Sequence, residues 1–276
     1  MTAGQVLRDT VDDIFADPRA SVVCVAPILF TLALIFAAPL ALELTYGPAL
    51  SSQMDSGPIS PGAVGAFVGG AIALLLIGVT SWLWTAVAWH RMVVLGEKPG
   101  FALPPWSGGK FLGYLGRTIL ISILIAFGSI PLISVAAIFA PDAVTMSDGA
   151  ETGSYYYGVG MGPSDFSPMG LIVWLAMTAI LYGFSLRLGL ILPAGAVGRP
   201  MPLGEAWQLT SGRFASLFLP LGVLLTLVDL CINSLASLVS FGGVLDIFAL
   251  GLTTLIGIGV LTRLYMGFAL PGPDAA

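Results

Sequence analysis

Residues 118–140 read TILISILIAFGSIPLISVAAIFA, an apolar stretch without one ionisable side chain. At a rise of ~1.5 Å per residue, about 20 such residues cross a hydrocarbon core of roughly 30 Å as an α-helix. The run is continuous rather than alternating, which selects a helix over a barrel strand. Nothing else crosses, because lipid offers no partner to a backbone N–H or C=O. Five further stretches meet the same requirement, at 21–44, 63–92, 168–194, 214–239 and 244–267. The expectation is all-α: a single transmembrane domain over 1–276 with six transmembrane helices. Pro27, Pro39, Pro131 and Pro220 fall inside the first, third and fifth spans, where they read as kinks that neighbouring helices tolerate.

Composition agrees. Of the 276 residues, 57% are hydrophobic and 9% are charged, against about 45–50% and about 25% in a soluble domain. The chain cannot cover itself with a polar surface, which excludes an ordinary soluble enzyme and a disordered linker. A net charge of −5 argues against nucleic acid as a partner. Cys24 and Cys231 are too few and too far apart for a disulfide framework or a metal cluster.

The ten basic residues set the orientation. Arg8, Arg19, Arg91, Lys98, Lys110, Arg117, Arg187, Arg199, Arg213 and Arg263 all fall at the N-terminus, the 2–3 and 4–5 connections, or near the C-terminus. None lies in the connections at 45–62, 141–167 or 240–243. The positive-inside rule then makes both termini cytoplasmic. Asp9, Asp12, Asp13 and Asp17 precede the first span, where a cleavable signal would be basic, so that span reads as retained.

The same residues expose an internal repeat. Arg19, Arg117 and Arg213 precede the inbound helices, and Arg91, Arg187 and Arg263 lie near the cytoplasmic ends of the return helices. Arg91 to Arg117 and Arg187 to Arg213 are both 26 positions apart, and Pro104 and Pro200 each follow a return-helix arginine by thirteen. Such self-similarity points to three quasi-repeated helical hairpins. Each hairpin begins with a stretch suited to the interface. In 1–20, Val6, Leu7, Val11, Ile14 and Phe15 form one face of a cytoplasmic amphipathic helix expected to lie in the headgroup plane. Residues 102–117 and 200–214 have a similar composition, each with a tryptophan.

The stretch LGEAWQLTSGRFASLFL at 203–219, with AWHRMVVLGEKPG at 88–100, resembles a broad group of largely uncharacterised bacterial proteins. These are six-helix integral membrane proteins related to the membrane domain found beside glycerophosphodiester phosphodiesterases. In those enzymes the chemistry belongs to a separate soluble barrel. The resemblance therefore implies a bacterial inner-membrane module and carries over no catalytic residue.

Signals for chemistry are sparse. His90 is the single histidine, so zinc motifs built on two are excluded, and no GxSxG or Walker A sequence occurs. No cofactor, metal or catalytic residue is expected. Gly158, Gly160 and Gly162, beside Tyr155, Tyr156 and Tyr157, read as an outer loop. His90 reads as an interface histidine, and Gly65, Gly69 and Ala73 as a surface for close helix packing.

Asp229 is the sharpest residue, deep in the fifth span, where a carboxylate costs on the order of 2.5–3.5 kcal/mol. Thr226, Asp229, Asn233 and Ser237 share one helical face, expected to point into the bundle. Asp229 is then either a neutral acid joining helices or a proton or substrate site. Arg91, Arg187 and Arg263 are either topology anchors or a basic ring for anionic headgroups or a solute, with Glu97, Glu205 and the N-terminal acids as rival partners. The leading expectation is a non-enzymatic protein that organises, regulates or binds within the lipid bilayer. The alternative is a small transporter or channel using Asp229 and the arginines.

Overall fold

The computed structural model describes residues 1–54, 61–139, 167–238 and 244–270. The glycine-rich run at 158–162 and Tyr155–Tyr157 lie outside them. All regular structure among the described residues is helical. In chain order the elements are α1 (Ala3–Ala16), α2 (Pro18–Met54), α3 (Pro61–Leu95), α4 (Gly108–Phe139), α5 (Pro168–Gly189), α6 (Ile191–Ala196) and α7 (Leu203–Leu209). A π-helical turn (Phe214–Phe218) then runs into α8 (Leu219–Leu238), and α9 (Val244–Ala269) follows. Among the described residues six segments are long and apolar enough to cross a membrane: α2, α3, α4, α5 with α6, the π turn with α8, and α9. The protein is a multi-pass membrane protein.

Local sequence explains where helices start and bend. Thr2 and Gln5 form a capping box on α1, the Gln5 N–H donating to Thr2 Oγ1 and the Thr2 N–H to Gln5 Oε1. Asp17 before Pro18, and Ser167 before Pro168, pair an N-cap oxygen with a proline that needs no hydrogen bond in the first turn. Pro193 cannot donate to the carbonyl four residues earlier, and the helix is interrupted at Leu190, between α5 and α6. Pro220 acts similarly at the start of α8, where the backbone widens into a π turn with the Phe218 N–H reaching back to Arg213 O at 3.4 Å. α2 continues through Met54, past the expected end at 44, because an apolar run limits the membrane span and not the helix.

The core lies at the end that carries the basic residues. Trp89 of α3, Tyr114 of α4, Leu190, Phe218 and Leu221 at the α5–α8 side, and Leu264 and Tyr265 of α9 are all buried there. Toward the other end, Leu75 and Leu76 of α3 and Phe127 and Ile138 of α4 are exposed, as suits side chains facing lipid. Among the described residues the buried core is thus concentrated at the basic end.

Two packing expectations need correction. A Cβ on Gly65 or Gly69 would meet nothing within 4 Å, and Ala73 is exposed. Close approach occurs instead where α5 crosses α8: a Cβ on Gly222 would stand 2.1 Å from Ala179 O, and one on Gly183 3.1 Å from Phe218 O.

The second correction concerns α1, which packs on α9 and does not rest only in a headgroup plane. Its buried stripe is Ala3, Val6, Thr10 and Ile14, while Val11 and Phe15 remain exposed. Thr10 can join an apolar stripe because its hydroxyl donates to Val6 O at 2.8 Å, leaving a methyl to pack. That methyl sits over Gly259 of α9, where a Cβ would be 2.5 Å from Thr10 Cγ2.

Candidate functional site

Three arginines grip three different segments at the basic end. Arg187, on α5, is buried beneath α7. Its Nε–H donates to Thr210 Oγ1 at 2.8 Å and its Nη2 to Trp207 O at 3.0 Å. The guanidinium lies 3.4 Å from the centre of the Trp207 ring. A planar cation sandwiched this way is held by stacking as well as by its hydrogen bonds. Thr210 is fixed in turn, its hydroxyl donating to Ala206 O at 2.8 Å.

Arg91, at the end of α3, forms a two-pronged ion pair with Glu97, and its Nη1 donates to Ala196 O at 3.1 Å. Arg263, on α9, makes a second two-pronged pair with Asp13 of α1. Bidentate pairs fix orientation as well as distance. Of the rival acids, Glu97 and Asp13 are the ones engaged here; Glu205 stands exposed on α7. The three guanidiniums bind the connection after α3, the helix α7, and the helix α1.

His90 is fully buried between these latches and is not an interface residue. Its Nδ1 lies 2.8 Å from Thr262 Oγ1 of α9 and its Nε2 3.1 Å from the Tyr114 hydroxyl of α4. Thr262 has one proton and donates it to Ile258 O at 2.8 Å, so toward His90 it can only accept. The network therefore assigns the imidazole proton to Nδ1 and leaves Nε2 to accept from Tyr114. The result is a neutral, satisfied histidine joining α3, α4 and α9. It is buried because α4 and α9 pack against the end of α3, which the sequence alone left open to the interface. Nearby, Thr85 Oγ1 and the indole nitrogens of Trp84 and Trp89 are buried without a hydrogen-bond partner among the described residues.

The intramembrane stripe is partly visible. Thr226 is buried and donates its hydroxyl to Gly222 O at 2.8 Å. Asp229 is half-buried on α8, within electrostatic reach of Tyr182 on α5. The side chains of Asn233 and Ser237 lie outside the described residues. The sequence pointed to the arginines and Asp229 but did not reveal Tyr114, Thr262, Thr210 or Trp207 as partners. Their signal is weak: each is one polar residue in an apolar helix or an interface segment.

No family model, curated protein or solved structure matches the chain.

Proposed function

We propose that this is a non-enzymatic bacterial inner-membrane protein, with both termini and the packed basic end in the cytoplasm, that organises, regulates or binds within the bilayer. The supporting observation is how Arg91, Arg187 and Arg263 are used. Each is committed to protein partners that tie an interface segment to the bundle, as in a closed collar. The likeness of 88–100 and 203–219 to membrane modules without chemistry of their own supports the same reading. We further take the three hairpins as repeats. Arg91 binds the connection leading into the second hairpin and Arg187 binds α7, which leads into the third. Arg263 binds α1, which leads into the first, so the cycle closes on itself.

A second reading, transport of a solute or lipid, draws on Asp229 facing Tyr182 across the α5–α8 seam. Proteoliposomes under a pH gradient separate the two. The organising role predicts no leak above empty liposomes and no difference for Asp229→Asn. A leak that Asp229→Asn abolishes would replace this reading with transport.

A further inference from the structure

Three cations reach the end of α6, and a fourth follows it in the chain. Arg91 donates to Ala196 O. Arg117 lies against Gly195, where a Cβ would stand 2.2 Å from its Nη1, and Lys110 against Gly198, where a Cβ would stand 2.7 Å from its Nζ. Arg199 follows at the surface, its N–H closing the helix onto Ala194 O at 2.9 Å. Gly198 takes φ +82 to make that turn, which a residue with a Cβ adopts only with strain. The guanidinium of Arg117 turns back toward the basic end, Nη1 donating to Gly113 O at 3.1 Å.

The charges do not balance. Glu97 neutralises Arg91, and the helix end supplies about −0.5. Among the described residues no carboxylate forms an ion pair with Lys110, Arg117 or Arg199. About +2.5 charges are therefore left over beside a helix terminus. The cluster lies at the ends of three membrane spans. An aromatic group flanks Lys110: Trp106 keeps 54% exposure while held against Trp84 and Phe111. Tryptophan in this setting marks the headgroup level.

We propose that Lys110, Arg117 and Arg199 bind the phosphate of an anionic phospholipid headgroup in the adjoining leaflet. This is a different set from the sequence-derived ring, since Arg91, Arg187 and Arg263 have their guanidiniums occupied. A free phosphate would use the same cations, but the exposed Trp106 and the place of the cluster at the ends of membrane spans favour a lipid. The proposal holds whether or not the protein transports.

The test is native mass spectrometry of the full-length protein in a neutral detergent, with added phosphatidylglycerol or chain-matched phosphatidylcholine. Phosphatidylglycerol should bind preferentially. Each charge removed should weaken it about fivefold. Lys110→Gln/Arg117→Gln/Arg199→Gln should therefore lose on the order of a hundredfold, and Arg8→Gln/Arg213→Gln should lose nothing. Should the triple variant misfold, Arg199→Gln alone, at an exposed position, still has to show its fivefold loss. Equal binding of the two lipids, or unchanged phosphatidylglycerol binding by these variants, would overturn the site. Displacement of the lipid by millimolar inorganic phosphate would overturn the lipid as its occupant.

Discussion

Replacing Gly222 with alanine should loosen the close crossing of α5 and α8. The added Cβ would lie 2.1 Å from Ala179 O and 3.1 Å from Gly183 N, both backbone atoms of α5 that cannot rotate away. An ordinary carbon–oxygen contact is more than ~3 Å, so α5 and α8 must separate by roughly 1 Å. A gap of that size forfeits about a quarter to a half of each dispersion contact it opens. Buried Ala179, Phe218, Leu221 and Leu225 line or flank this seam and share the loss. Overpacking typically costs about 1–3 kcal/mol, and the rigid backbone on both sides puts this case in the upper half. Gly257→Ala is the control: its Cβ would meet nothing within 4 Å, and alanine gains up to about 1 kcal/mol of helix propensity. Reversible unfolding in mixed detergent and SDS micelles measures both. Gly222→Ala should fall about 2–3 kcal/mol below wild type, with Gly257→Ala at or above it. A Gly222→Ala variant as stable as wild type would refute the close crossing.

Tyr114→Phe removes the hydroxyl that donates to His90 Nε2 and leaves a buried acceptor, a loss of about 1–3 kcal/mol in the same assay; no loss would mean the hydrogen bond is not formed. Arg187→Lys keeps the charge but loses the planar stack on Trp207 and the fork to Thr210 and Trp207 O, so stability should drop by about 1–2 kcal/mol. An unchanged stability would show that charge alone matters there. Reporter enzymes fused after Ala276 and inserted near Gly153 should read cytoplasm and exterior respectively; the reverse result would overturn the orientation.

The spans were legible because each is a long apolar run and lipid permits nothing but a helix there. Of the prolines read as kinks, Pro220 marks an irregularity, a π turn the sequence did not specify, while Pro27, Pro39 and Pro131 lie within continuous helices and Pro193 separates α6 from α5. Amphipathicity revealed α1 but misplaced its buried stripe, because Thr10 hides its hydroxyl in the helix backbone and so packs like an apolar residue. The glycine reading failed for a related reason. Gly65 and Gly69 have the right spacing, but spacing does not say which end of a bundle is packed, and the close crossing belongs to Gly183 and Gly222. At the site, charge patterning singled out Arg91, Arg187 and Arg263 and offered Glu97 and the N-terminal acids as partners. Arg187 drew instead on a hydroxyl, a carbonyl and an indole, none of which has a charge to be read in sequence.

The central claim is that α1, through Arg263 and Gly259, closes the collar at the basic end by docking on α9. A disulfide measures it directly. A Cβ at position 259 would lie 3.8 Å from Cβ of Thr10, the mean Cβ separation across a disulfide. With Cys24 and Cys231 replaced by serine, Thr10→Cys/Gly259→Cys should cross-link almost completely under mild oxidation in isolated membranes. The short cysteine side chain removes the threonine methyl that would otherwise obstruct position 259. A pair that stays reduced, while the doubly substituted protein accumulates in the membrane like wild type, would place α1 away from α9 and contradict the closed collar.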